Sequence, residues 1–591
     1  MKIIKHLLII LLTVCFFACS EDDNLFSGTD NYIKQFTITQ GNDKYFGVFE
    51  GDSVIVYFKN GVYSQGMEAT IELSENAKIF PNPQEVGNWL EEQQFVVTSY
   101  NGTRRTYRYI PKIGEVNHSG DVVLRTQEEV DAFAGSGITV ISGNLIIGNL
   151  SGQDSISSTE GFRNLKKVDY DITINSCYNG ENLTLENLEE VGSIKRNSSN
   201  KITQIVLPNL KRINLSANFG SVYELEVPNL EIVGKDFTVG NLSQMYCTLA
   251  FPNLKKVDGT LTINNTNFLI SMFTLPKLEE AGSLTLSFYT YNMGFPMLQK
   301  VTGAINISNN NMLALDLPKL KTVGNISLSG SNLVKLNMSK LEETGNISFT
   351  NLKIKELDFS LLQTAANITL SGIENINELA FPVLKKAQNF SLSKPTNLKT
   401  LDLGASEIGG LTLSDFQSIS IKGTGKMTGT LYLSGTALSC KITGIKEIGA
   451  ITSYTSAPYL ECAGLEQVNG NVYVQHYEKM LFPDLKKITG SLTFQCYYAQ
   501  DTTDSHVTFA KLETVGGALS VSGSNDGLTH LNMFSSLKSA QSIAVTNLKK
   551  LVDYTGLKNV IHSITDKNWR ATGNAYNPTY QDLLNGKWTN Q

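Results

Sequence analysis

The feature that most constrains this chain is a phrase that returns with a nearly fixed period. From Leu207 to Leu392 the sequence repeats apolar-Pro-x-Leu-x-x-Val-x-Gly-x-apolar-x-apolar, as in Val227-Pro228-Asn229-Leu230-Glu231-Ile232-Val233-Gly234 and Leu317-Pro318-Lys319-Leu320-Lys321-Thr322-Val323-Gly324. The anchoring leucine recurs at Leu165, Leu188, Leu210, Leu230, Leu254, Leu278, Leu298, Leu320, Leu341, Leu362 and Leu384, with gaps of 20 to 24 residues. A unit of that size cannot bury an apolar face alone, so neighbours must stack, and a period of this length predicts a solenoid. In each coil the spacing sends the leucine inward and the valine three residues on inward. A turn is expected at the glycine, followed by a strand such as Leu261-Thr262-Ile263 that alternates apolar residues in with Thr or Ser out. Roughly 20 coils stacked as parallel strands about 4.8 Å apart predict a rod of about 95 Å. Asn264-Asn265, Asn309-Asn310-Asn311 and Asn332 follow the strands and are read as stacked amides that cap turns. The phrase blurs between Leu398 and Lys441 and resumes at Ile445, Leu465, Leu485, Leu512 and Leu537.

The two ends read differently. Lys2 and Lys5 precede an 11-residue, mostly apolar run from Leu7 to Phe17, too short to span a bilayer. Phe16-Phe17-Ala18-Cys19 then resembles a bacterial lipoprotein cleavage box. The resemblance implies a signal peptide over 1–18 and a lipid on Cys19. Ser20-Glu21-Asp22-Asp23 resembles the surface-export signal of Bacteroidetes lipoproteins, implying an acidic tether over 19–30 and an outer-membrane anchor with the chain facing the cell exterior. Residues 31–113 carry no repeat. Phe36–Thr39, Ser53–Phe58, Ala69–Leu73, Phe95–Thr98 and Thr106–Ile110 read as half-buried strands, and Asn101-Gly102 is a hairpin signal. The stretch 97–110 resembles immunoglobulin-like modules that follow the tether in such lipoproteins, which implies a small β-sandwich serving as spacer.

Thr126-Gln127-Glu128-Glu129 is a capping box opening a short helix with Val130 and Phe133 on one face, placed to cap the solenoid's first rung. The stretch 120–150, with the repeated phrase, resembles the receptor L-domain family of leucine-rich, β-helix-like repeats, found in insulin- and epidermal-growth-factor-type receptors and in bacterial surface proteins. The likeness covers about 119–550 and bears on fold alone. Trp569, Tyr576, Tyr580 and Trp588, with Asp582-Leu583-Leu584-Asn585-Gly586, read as an aromatic C-terminal cap over 567–591. The expected fold is therefore mainly β: an N-terminal immunoglobulin-like β-sandwich, then a long right-handed leucine-rich β-solenoid over 119–566 with a helical N-cap and an aromatic C-cap.

Chemistry is sparse. Charged residues make up 18% of the chain, the formal net charge is −6 and no basic cluster stands out, which argues against a nucleic-acid partner. His118, His476, His506, His530 and His562 form no His-Glu-x-x-His pair, and there is no Gly-x-Ser-x-Gly elbow or EF-hand pattern. Gly423-Thr424-Gly425-Lys426-Met427 only faintly matches a phosphate loop. No catalytic residue, metal site or cofactor is expected, and the carboxylates beside the anchor, as in Leu278-Glu279-Glu280, read as a solvated face. Cys440 and Cys462 lie one coil apart and are either bridged or buried free thiols; Cys177, Cys247 and Cys496 are widely spaced. Tyrosines gather 11 to 13 residues past the anchor at Tyr178, Tyr289, Tyr291, Tyr477, Tyr497 and Tyr498. Equal offset predicts one shared edge. With His476 and Tyr454 these rings, Tyr178 apart, form the candidate ligand site, or else they fold back and pack. The functional expectation is a surface-anchored binding or adhesion protein for a glycan or protein ligand, with a structural role in an outer-membrane assembly as the alternative.

Overall fold

A computed structural model describes residues 28–590 except 60–61, 153–155, 198–200, 241–248, 271–272, 309–310, 331, 456–458, 476–478, 497–506 and 524–527. The chain is mainly β and divides into two compact units. The first comprises the chain up to His118 together with Glu128–Val140 and Glu160–Leu165; the second comprises Ser119–Gln127, Ile141–Thr159 and Lys166 onward.

In the first unit seven strands are hydrogen-bonded in the order β4-β1-β2-β3-β7-β6-β5: β1 Ile33–Gln40, β2 Asp43–Glu50, β3 Ser53–Phe58, β4 Met67–Leu73, β5 Lys78–Phe80, β6 Gln93–Thr98 and β7 Arg104–Ile113. All neighbours are antiparallel except β3 and β7, which run parallel. The five strands expected from alternation are present, and β2 and β5 add to them. Asn101-Gly102 does turn the chain between β6 and β7, with Gly102 at φ +90°. Large rings fill the core: Phe36 lies 5.4 Å from Tyr109, and Trp89 meets Tyr109 edge-on at 5.3 Å. The Tyr109 hydroxyl donates to the Trp89 carbonyl at 2.6 Å, so its buried polar tip is satisfied. The expected helix forms at Gln127–Gly135 and buries Val130 and Phe133; Phe133 packs on Phe162 at 5.4 Å.

The second unit is a parallel β-solenoid of about 18 turns, slightly fewer than the period suggested. The repeated phrase resolves into three physical parts. The first is a β-turn. In apolar-Pro-x-Leu the anchor amide donates back to the apolar residue three earlier, as Leu320 N to Leu317 O at 3.2 Å and Leu298 N to Phe295 O at 3.2 Å. Proline at the second turn position pre-sets the required φ. Both ends of the turn point inward, and Leu317 and Leu320 are buried.

The second part is a strand that in many coils runs straight through the glycine, while in others, as between Ile232–Val233 and Phe237–Val239 or between Gln467–Val468 and Val472–Gln475, it breaks there in a bend as expected. In Lys300–Ser308 and Thr322–Ser329 the pairing continues on both sides of Gly303 and Gly324, with only a register shift between Val301 and Ala304. Glycine is needed there because coils approach closely. A Cβ on Gly324 would sit 2.4 Å from the Gly303 carbonyl oxygen, and one on Gly345 would sit 2.2 Å from that of Gly324.

The third part is a second, short strand just before the proline, such as Ala314–Asp316, which the phrase concealed. These short strands stack into separate parallel sheets behind the main one. Between the two layers lies the core, with leucine, isoleucine and phenylalanine columns such as Phe482, Phe509 and Phe534 stacked at 5.2 and 5.5 Å.

The blurred stretch 398–441 continues the solenoid without a break, through Thr400–Asp402, Glu407–Ser414, Ser418–Lys422 and Lys426–Gly435. Its turns use glycine in place of proline: Gly404 at φ +56°, and further on Gly444 at φ +83°. Gly423-Thr424-Gly425-Lys426 is therefore a coil turn, and Lys426 pairs with Glu407 of the preceding coil at 3.4 Å. The last rung is Trp569–Thr572 on Ser542–Thr546, beside a buried Tyr554 that meets Trp569 and Tyr576 edge-on. The helix Tyr580–Leu584 follows, with Thr579 and Asp582 forming a reciprocal capping box.

Candidate binding face

Alternation along each long strand after the glycine leaves two outward positions per coil on that part of the main sheet. The parallel register lines them up into columns. One runs Thr285, Asn306, Ser327, Ser348, Thr369, Ser391 and Thr412, then Tyr432, Thr452, Tyr473 and Thr493. The other, two residues further on, runs from Ser308 through Ser329, Thr350, Ser371, Ser393, Ser414 and Ser434 to Tyr454. No residue in either column is charged.

Charge recurs at positions one and two residues after the anchor, at the start of the long strands, and along much of the solenoid it alternates there in sign from coil to coil. Lys166, Glu189, Lys211, Glu231, Lys255 and Glu279 occupy successive rungs of one such column. Lys211 reaches Glu189 at 2.7 Å and Lys255 reaches Glu231 at 2.8 Å. Farther along, Glu466 is bound by Lys486 at 2.8 Å. The Lys255 ammonium, through its hydrogen bond first, holds the Glu231 carboxyl below its ordinary range. With side chains stacked every ~4.8 Å, like charges on neighbouring rungs would repel, and alternation removes that cost. Each pair is exposed and modest on its own.

Amides stack as well, in columns that were not anticipated; of the amides expected to cap turns, Asn309 and Asn310 lie outside the described residues. Asn325, Asn346, Asn367 and Asn389 form a ladder one or two residues after the close approach. Asn367 Nδ2 donates to Asn346 Oδ1 at 2.8 Å, and Asn389 Nδ2 to Asn367 Oδ1 at 3.0 Å. A second amide column donates to backbone carbonyls one coil back, as Asn229 Nδ2 to Pro208 O at 2.8 Å.

The described members of the tyrosine group, Tyr178, Tyr289, Tyr291 and Tyr454, occupy different environments. Tyr178 is buried, its hydroxyl donates to Asn182 O at 2.6 Å, and burial pushes its pKa up to about 12; it is a packing element. Tyr289 is half-buried near the end of its strand and Tyr291, just beyond that strand, is 48% exposed. Tyr454 is also 48% exposed but stands on the outer face of the sheet. His476, Tyr477, Tyr497 and Tyr498 lie outside the described residues, as do Cys19 and Cys247.

Two rings that the offset rule passed over join Tyr454. Tyr432 lies 6.1 Å from it and Tyr473 5.0 Å, both tilted, so the three make a continuous triad across three coils. The Tyr473 hydroxyl lies 2.8 Å from Gln475 Oε1 and 2.9 Å from Gln495 Oε1, which fixes its position. Their sequence signal was the alternation itself: Leu431-Tyr432-Leu433 and Val472-Tyr473-Val474 put a ring where other coils carry Ser or Thr.

Cys440 and Cys462 are free, buried thiols. The register sets Cys440 opposite Leu460 and Cys462 opposite Ile442, two residues out of step. That diagonal places their Cα atoms roughly 8 Å apart by strand spacing and rise, beyond disulfide reach. Burial pushes the Cys440 thiol up to about 12 and Cys462 well above its usual value, so neither is a ready nucleophile. Among the described residues no group of three or more His, Cys, Asp or Glu is arranged to hold a metal, and no helix is long and apolar enough to cross a membrane. The chain matches no protein-family model, and no curated protein matches it.

Proposed function

We propose that this protein is a lipid-anchored binding protein of the bacterial outer surface, holding its solenoid out from the membrane to engage an external ligand. In this reading residues 1–18 are removed, Cys19 carries lipid, the acidic segment after it directs export to the cell exterior, and the N-terminal unit is an immunoglobulin-like spacer. The aromatic C-terminal segment serves as a cap that keeps the solenoid from stacking end to end. Adhesion, rather than turnover, is the activity assigned.

The observation that carries this reading is the outer face of the main sheet. A soluble protein does not need three mutually packed tyrosines on an exposed sheet surface, and exposed aromatic clusters mark interaction sites. The solenoid supplies a rigid, repeated support for such a face.

Two measurements test it. Cys19→Ala should move the protein from the membrane fraction to the soluble fraction, and retention of the variant in membranes would remove the anchor from the reading. The purified full chain should be retained on an array of mucins, glycans and host surface proteins. No retention anywhere, with a stable outer-membrane partner co-purifying instead, would favour a structural role in an assembly.

A further inference from the structure

We infer that the ligand of the tyrosine triad is a neutral, extended polysaccharide, a conclusion that rests on the binding reading above and specifies its chemistry. Four features of the face lead there.

The first is its charge. The two outward columns hold no ionisable Lys, Arg, Asp, Glu or His between Thr285 and Thr493, while the Lys and Glu residues are held apart in their own columns and cancel in pairs. A sulfated or carboxylated glycan, or a nucleic acid, needs cations aimed at it. Neither column offers one; the nearest lysines stand at the strand starts, as Lys426 six residues before Tyr432.

The second is the aromatic geometry. Tyr432 and Tyr473 occupy the same column two rungs apart, roughly 10 Å by strand spacing, and Tyr454 bridges them from the other column. A row of rings along the stack suits a chain that presents the C–H faces of successive sugars, because those faces carry partial positive charge and the ring faces partial negative charge.

The third is the polar surround. Thr452, Thr493, Gln475 and Gln495 stand between and beside the rings. Hydroxyl and amide side chains both donate and accept, which matches the mixed donor–acceptor hydroxyls of a sugar. Because Tyr473 is pinned between two glutamine side chains, its ring loses little freedom on binding.

The fourth separates a glycan from a protein partner. Outside the triad the two columns are mostly Ser and Thr, residue types under-represented in protein hot spots. Sugars find bonding partners along the whole of both.

Native affinity electrophoresis of the full chain tests this, with hydroxyethylcellulose, galactomannan and laminarin as neutral probes and polygalacturonate and heparin as charged ones. We expect retardation by at least one neutral probe and none by the charged pair. Tyr454→Ala, whose exposed ring supports little of the core, should weaken that retardation at least tenfold while leaving the thermal transition unchanged. Tyr291→Ala, a ring of equal exposure elsewhere on the solenoid, should leave it intact. Retention by charged glycans or by protein spots alone overturns the glycan class and leaves the binding reading standing. Absence of retention on every probe overturns both. Retardation by a neutral glycan that survives both Tyr454→Ala and Tyr432→Ala removes the triad as its site.

Discussion

Replacing one anchor leucine tests how the solenoid is held together. Leu320 has no solvent exposure and sits between the anchors of the coils before and after it. Those neighbours cannot close over a void. Their backbones are fixed by the ladder bonds Lys321 N to Gln299 O and Glu342 N to Lys321 O, both at 2.9 Å. Leu320→Ala removes three carbons, about 2.4 kcal/mol by transfer alone. A cavity that stays open adds to this and brings the cost to roughly 3–4 kcal/mol. Because each coil touches only its neighbours, the loss should be local, so a single melting point is a poor measure of it. Hydrogen exchange resolved by mass spectrometry is the suitable assay. Backbone amides from about 314 to 345 should exchange roughly 100- to 1,000-fold faster, since each 1.4 kcal/mol is tenfold. Coils several turns away should be unchanged. Lys321→Ala, one residue along but exposed, should alter exchange by only a few-fold. Equal effects from the two variants, or none from Leu320→Ala, would refute the inward register.

Three further outcomes follow from the same geometry. Gly324→Ala should destabilise its region by about 1–3 kcal/mol, because the new Cβ meets the Gly303 and Thr302 carbonyl oxygens at 2.4 and 2.8 Å; Gly294→Ala, with nothing within 4 Å, should not, and the same exchange experiment separates them. Glu231→Lys, which puts three cations in a row with Lys211 and Lys255, should lower the thermal transition at low salt, and the deficit should shrink at high salt. Cys440 and Cys462 should resist a thiol reagent in the native protein and both react once it is unfolded, whereas a mass consistent with their disulfide would contradict the two-residue stagger.

The solenoid was legible because its coils obey one rule: anchor and valine inward, alternation after the glycine. Features with no period of their own were not. The short strands before each turn are only two to five residues long, too brief for alternation to separate them from a turn. In the N-terminal unit β2 escaped notice because Gly47 interrupts its apolar pattern; a side chain there would collide with Val54 and Phe36 across the sheet. The glycine column was legible as glycine, but only some coils bend there; a close inter-coil approach, which the spacing did not reveal, demands the same residue in the rest. The tyrosine triad lay in plain alternation, and the search along a fixed offset past the strand passed over Tyr432 and Tyr473. Several coils, at Asp169, Asn214, Ala366, Gln388 and Gln541, depart from glycine in that column, a tolerance the repeat alone does not explain.

The most direct test of the account is the distance between rungs. Thr285 and Thr412 lie in one outward column, six parallel steps apart, and Thr285 and Thr493 ten steps apart. Bio-orthogonal spin labels at these pairs, measured by pulsed electron–electron resonance, should give separations near 29 and 48 Å, following the ~4.8 Å strand spacing. Narrow distributions that lengthen in proportion to the number of rungs are the predicted result. Distances that do not scale with rung number, or broad distributions at both pairs, would contradict the parallel in-register stack on which the binding face depends.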